Sequence, residues 1–220
     1  MNNNKQIKVY VVGSSIYYAS FLKNIKLVDS IKDADIILFT GGEDVTPSFY
    51  GKEKHRLTYC NPERDYLEKA VFDQIRQNQI AFGICRGSQF LCAMNGGILV
   101  QDCDKHAMYG THEIVSDKTG EVFSITSTHH QMQYPYVLPE EDYTLLFRSA
   151  ENRSSHYYGD GVDENVIKSR GEAEIVLYHR PGKPKCLAVQ GHPEMIPDFP
   201  IAKKINELLN ELVNDVEGGH

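Results

Sequence analysis

The chain has 220 residues, 41% of them hydrophobic and 24% charged, and a net charge of −7. This is ordinary globular composition and excludes a disordered chain. With no Lys/Arg-rich block and no apolar run near the ~20 residues that span a bilayer, neither nucleic acid nor membrane is expected as a partner.

Cysteines stand at 60, 85, 92, 103 and 186, an odd set without a C-x-x-C pair, so neither a disulfide framework nor a zinc site is indicated. The apolar run near the N-terminus is too short for a secretory signal. The expectation is a reduced, cytoplasmic protein with no metal and no cofactor.

In chain order, runs rich in β-branched and aromatic residues at 7–12, 25–28, 36–40 and 80–84 read as strands. "IYYASFLKN", 16–24, reads as a helix between the first two. Between the last two, Asn61-Pro62-Glu63 is a helix start signal, and Leu67, Ala70, Val71 and Ile75 recur at helical spacing. Strand, helix and strand of this length imply parallel pairing through a right-handed crossover. A second helix, "RGSQFLCAMN", follows residue 84 and is closed by Gly96-Gly97.

Beyond it, "EIVSD", "EVFSITS", "YTLLFRS", "AEIVLYHR" and "KCLAVQG" read as short strands, with "RPGKPK" as a hairpin-type turn. A final amphipathic helix at 199–215 aligns Ile201, Ile205, Leu208, Leu209 and Leu212 on one stripe. No repeat, low-complexity tract or linker interrupts the pattern, so residues 1–220 are expected to form a single α/β domain.

The stretch "FGICRGSQF", 82–90, carries the first chemical signal. Gly83 and Gly87 flank Cys85 as G-x-Cys-x-G, directly after a buried strand and directly before a helix. A nucleophile elbow has this form because the nucleophile sits at strained backbone angles where neighbouring side chains would crowd. The helix N-terminus, with its partial positive charge, favours a thiolate at Cys85, and the Arg86 N–H is placed to stabilise an oxyanion. A small buried cysteine beside flexible glycines is the competing reading.

A cysteine nucleophile needs a base. His55, His106, His156 and His179 lie in polar or strand-edge settings and are expected at the surface. His192 differs: it follows the strand "CLAVQ" and opens a His-Pro turn with Glu194 two residues on, the arrangement by which a carboxylate orients an imidazole. "IILFTGGEDVTPSFYG" ends a strand in Gly41-Gly42, at the carboxyl edge where open parallel sheets bind ligands. A Gly42 N–H there can serve as a second oxyanion donor.

Taken together, "GGEDVTPSFYG", "RDYLEKAV", "GICRGSQ", "GGILVQD", "STHHQ" and "AVQGHPE" resemble the class I glutamine amidotransferases, closest to their γ-glutamyl-γ-aminobutyrate hydrolase branch, over about residues 36–195. The resemblance implies a flavodoxin-like three-layer α/β/α sandwich with a mostly parallel central sheet. It implies a Cys-His-Glu triad of Cys85, His192 and Glu194, an oxyanion hole from Gly42 and Arg86, and substrate contacts from Gln89, His130 and Gln131. The segment 13–35 is shorter than that branch has, with room for one helix and one short strand, which bears on substrate identity. Gly191 stands where a bulky residue is usual before His-Pro-Glu, a change expected to widen the pocket or loosen His192.

Three functions compete. The first is a free-standing hydrolase of γ-glutamyl amides acting through a thioester. The second is a glutaminase component feeding ammonia to a separate synthetase partner. The third is a binding relative without catalysis, disfavoured because all three triad residues are present. The expected partner is thus a small γ-glutamyl substrate, with a synthetase or a homodimer as protein partner.

Overall fold

The computed structural model describes residues 6–13 and 15–218. In chain order the strands are β1 (Ile7–Val12), β2 (Ile25–Leu27), β3 (Ile36–Phe39), β4 (Ile80–Ile84), β5 (Ile98–Val100), β6 (Asp102–Cys103) and β7 (Ala107–Ser116). They continue as β8 (Val122–Thr128), β9 (Met132–Tyr134), β10 (Tyr143–Ser149), β11 (Tyr157–Tyr158), β12 (Ala173–Tyr178) and β13 (Lys185–Val189). The α-helices are α1 (Pro62–Phe72), α2 (Arg86–Met94), α3 (Glu164–Arg170) and α4 (Pro200–Gly218).

One large sheet has the order β2-β1-β3-β4-β13-β12-β10-β7-β8. From β2 to β13 every pairing is parallel, and from β13 to β8 every pairing is antiparallel. Within this sheet only β12 and β7 therefore run against the common direction. The turn expected at "RPGKPK" joins β12 to β13, with Gly182 at φ 79 and the Lys183 N–H donating to Arg180 O.

Strand alternation divides the core into two layers. Ile36, Leu38, Phe82, Leu187 and Val189 pack with Ile201, Ile205, Leu209 and Leu212 of α4. Ile37, Phe39, Ala81 and Ala188 pack on the other face with Phe72 of α1 and Phe90 and Leu91 of α2. Each of the larger side chains, removed from water, contributes about 1.5–3 kcal/mol. The result is the flavodoxin-like α/β/α sandwich anticipated from the motifs.

Three local expectations are corrected. Residues 16–24 do not form an α-helix: a 3-10 turn covers Ile16–Ala19 only. Beyond it the chain is captured by α4, where Asn206 donates to Phe21 O and accepts from the Lys23 N–H. Phe21 is thereby buried, and those backbone groups bond to α4 rather than along a helix.

In α1 the apolar spacing misleads. Leu67 is 65% exposed, whereas Asp65, Glu68 and Phe72 are the buried positions. Asp65 and Glu68 face inward because the guanidinium of Arg86 lies beneath them. Finally, His106 is fully buried against the rings of His112 and His129 rather than lying at the surface. Among the described residues no helix is long and apolar enough to cross a membrane.

Candidate active site

Cys85 joins β4 to α2 at the carboxyl edge of the sheet. Its φ of 53 and ψ of −110 lie in territory that side-chain-bearing residues rarely enter. The neighbouring glycines are required by space. A Cβ on Gly83 would stand 2.4 Å from Gly87 O, and one on Gly87 would stand 2.2 Å from Phe39 O. Two backbones thus meet across the turn with no room for a methyl group. Cys85 N–H donates to Val189 O at 2.8 Å, which ties the elbow to β13, while Ser88 and Gln89 N–H groups close the first turn on Cys85 O.

β13 also delivers His192. Two residues beyond Gln190, His192 donates its N–H to Thr126 Oγ1 of β8 at 2.6 Å. Its Nδ1 pairs with Glu194 Oε1 at 2.7 Å, and Cys85 lies close enough to bear on its titration. Burial opposes a charge on His192. The Cys85 and Glu194 partners outweigh it and raise its pKa to about 10. His192 and Glu194 are both buried, so the pair is shielded from bulk water.

Gly191 does not widen the pocket. A Cβ there would meet Ile125 Cγ1 at 2.5 Å and Thr126 O at 2.8 Å, so β8 already fills the space a larger residue would take. Nor is His192 loosened, since its N–H is held by the same strand.

Gly42, at φ 143, lines a cleft of about 300 Å³ together with Cys85, Gln89, His130 and Gln131. Arg64 shapes this loop by donating to Gly41 O at 2.9 Å, and a Cβ on Gly42 would stand 2.1 Å from Arg64 Nη1. The Arg86 N–H is among those a helix start leaves without an intrahelical acceptor. Its side chain plays another part, buried in ion pairs with Asp65 and Glu68.

Sequence comparison fits this geometry. Residues 9–194 match the peptidase C26 family. The chain belongs to that family. It is accordingly a class I glutamine amidotransferase-type hydrolase. The protein NtpR of Enterococcus hirae is 29% identical over 175 residues, 75% of this chain and 69% of NtpR. The glutamine amidotransferase-like protein YvdE of Lactococcus lactis is 31% identical over 171 residues, 73% of this chain and 66% of that protein. The chain thus spans about two thirds of the length of these relatives. Among solved structures, PurLQS from Thermotoga maritima superposes with a TM-score of 0.55 at 14% identity, covering 96% of this chain and 98% of that one. A glutamine amidotransferase from the same organism gives 0.52 at 16% identity, covering 96% of each chain. At these identities the likeness concerns the fold alone.

In this peptidase C26 chain the remaining candidates gather at one wall of the cleft. Gln89 Nε2 donates to Gln131 O at 2.9 Å, and Gln131 Nε2 donates to Thr58 Oγ1 at 3.1 Å and Gln101 O at 3.0 Å. Both amides therefore serve the wall as well as facing the cleft. His130 lies between carboxylates, 3.1 Å from Asp44 and 3.5 Å from Asp102, and the hydrogen bond to Asp44 chiefly raises its pKa.

Residue patterns did not reveal Tyr18, whose ring centroid lies 6.0 Å from that of His192, or Tyr17, whose hydroxyl donates to Glu194 O at 3.3 Å. Both sit on the 3-10 turn misread as a helix. Thr126 and Arg64 were equally silent, because a backbone-to-hydroxyl bond and a loop clamp leave no spacing signature.

Proposed function

We propose that the chain hydrolyses γ-glutamyl amide bonds through a Cys85 thioester. Cys85 Sγ attacks the γ-carbonyl carbon, and the oxyanion takes hydrogen bonds from the Gly42 and Arg86 N–H groups. As the C–N bond breaks, His192 gives its proton to the leaving amine, and Glu194 keeps the imidazolium oriented. Water then attacks the thioester with His192 as base, releasing glutamate and restoring the thiol. The observation that carries this reading is the strained strand-to-helix turn at Cys85 beside His192, whose Nδ1 is held by Glu194 at 2.7 Å.

Recognition of the glutamyl end is assigned to the far wall of the cleft. His130, with its raised pKa, offers positive charge to an α-carboxylate, while Glu43 and Asp44 offer acceptors to an α-ammonium. Gln89 and Gln131 complete that end. The leaving amine would face Tyr18 and the shortened N-terminal segment.

A second reading, supply of ammonia to a synthetase partner, draws on the fold shared with PurLQS. One assay separates the two. Purified chain is incubated with glutamine and with several γ-glutamyl amines, and glutamate and ammonia are measured. Glutamate release from γ-glutamyl amines without any second protein, abolished in Cys85→Ala, is expected. Turnover that appears only when a synthetase is added selects the second reading, and activity retained by Cys85→Ala overturns both.

A further inference from the structure

Behind the cleft wall lies a cluster the reaction above does not use. His106, His129 and Glu174 are buried, with exposures of 0%, 4% and 0%. One candidate donor atom from each falls within 4.8 Å of the others. His129 Nδ1 is 2.8 Å from Gln131 O, an acceptor, so Nδ1 carries the proton and Nε2 presents a bare lone pair. That Nε2 has no hydrogen-bond partner, and neither has Glu174 Oε2. Glu174 Oε1 is engaged by His112 Nε2 at 2.7 Å and Ser149 Oγ at 3.1 Å, so the carboxylate is fixed with one oxygen left over. His106 Nε2 lies 3.1 Å from Glu172 Oε1 but off the line of a hydrogen bond. Three buried polar groups without aligned partners at one point are costly unless something fills the gap between them.

We propose that His106, His129 and Glu174 form a divalent-metal site, suited to zinc, that braces the cleft wall. Two neutral imidazoles and one carboxylate are a zinc donor set. Donors about 2.0–2.2 Å from one tetrahedral ion stand about 3.5 Å apart, so side-chain rotations of about an ångström close this set. The outer contacts are those a metal ligand needs. His129 Nδ1 on a backbone carbonyl fixes the tautomer that frees Nε2, and His112 and Ser149 orient Glu174. Charge also matches: Glu172 and Glu174 are both buried carboxylates, and one divalent cation neutralises the two without protonating any imidazole.

His112, which holds Glu174, also borders a surface groove of about 250 Å³ with Glu113, Glu151 and Arg153. The consequence reaches the cleft, because the Gln131 carbonyl that accepts from His129 also accepts from Gln89. An ion here would pin the end of β8 to β12 and with it the residues that face the substrate.

The test uses the full chain carrying Cys85→Ala, which removes the cleft thiol as a competing zinc ligand. After incubation with zinc chloride and desalting, metal content is measured by mass spectrometry and the coordination shell by X-ray absorption. One zinc per chain, with imidazole nitrogen and oxygen neighbours and no sulfur, is expected. Titration against a chromophoric chelator should show Glu174→Gln and His129→Gln each weakening zinc by more than the about 10–100-fold that losing an outer-shell partner costs. If either variant fails to fold, the absorption spectrum of the Cys85→Ala chain decides alone. Sub-stoichiometric zinc, a sulfur neighbour, or folded variants that bind as tightly as the parent overturns the proposal.

Discussion

Replacing Cys85 by glycine is expected to give a more stable protein than replacing it by alanine, the reverse of the usual order. Both variants lose the thiol and its pairing with His192, so those effects cancel in the comparison. What differs is the backbone at φ 53 and ψ −110. A side-chain-bearing residue held in such a region costs about 1–3 kcal/mol, which glycine does not incur. Against this, glycine loses about 0.5–1 kcal/mol through the greater freedom of its unfolded chain. It also forgoes one buried methyl group, worth about 0.8 kcal/mol. Central values leave glycine ahead by about 0.5 kcal/mol, where on unstrained backbone the same terms would put it behind by about 1.5 kcal/mol. Urea denaturation of the two variants, fitted with a common slope, resolves a gap of about 2 kcal/mol between those outcomes. Alanine more stable than glycine by about 1.5 kcal/mol refutes the strained elbow. Neither variant should turn over substrate.

Brief treatment with iodoacetamide near pH 7 should label Cys85 first, since it opens on the cleft beside the His192 imidazolium. Burial pushes the thiols of Cys92 and Cys186 up to about 12 and that of Cys103 well above its ordinary value, and peptide mapping that finds these labelled as fast refutes the assignment. A second outcome concerns pH. His192 has a folded pKa raised to about 10, so its contribution to stability is complete below its ordinary value of 6.5 and is lost as pH rises through about 10. The stability margin of wild type over His192→Asn should therefore narrow between those limits, and a margin that widens would contradict the buried imidazolium.

The parallel half of the sheet was legible because its strands are short apolar runs bounded by turn residues. β1 and β4 fall where the pattern places them, and β2 and β3 end one residue early. β3 and β4 are buried on both faces, so composition alone marks them. The pairs β5–β9 and β6–β11 and the helix α3 were not anticipated. Each strand there has only two or three residues, too few for a period to register. Of the candidate site, Cys85, His192 and Glu194 were readable because elbow and His-Pro turn impose local residue types. The buried histidines were not. His106 and Glu172 are 66 positions apart and meet only once β7 and β12 lie on either side of β10.

The inner face of α1, where the apolar spacing misled, ties together the two segments that carry the candidate oxyanion donors. Its buried positions are charged, an arrangement that costs desolvation and repays it only when every charge is paired. Here each buried carboxylate finds a guanidinium, with only Arg86 Nε left without a hydrogen-bond partner in the network. Arg64 holds the Gly41 carbonyl from one side and gives its Nε to Glu68 Oε1 at 2.9 Å. The other oxygen of Glu68 bonds Arg86, and Asp65 bonds Arg86 while accepting from the Thr46 N–H at 2.9 Å. The Gly42 loop and the first residue of α2 are thus fastened to one helix through a single charged network. Removing Arg86 would strand the buried Asp65 carboxylate, at about 3–5 kcal/mol, and would unfasten α2 from this network. Apolar residues at 65, 68 and 86 could fill the same volume, but they would fix no direction. Ion pairs with planar partners do, and an oxyanion hole depends on direction as much as on distance.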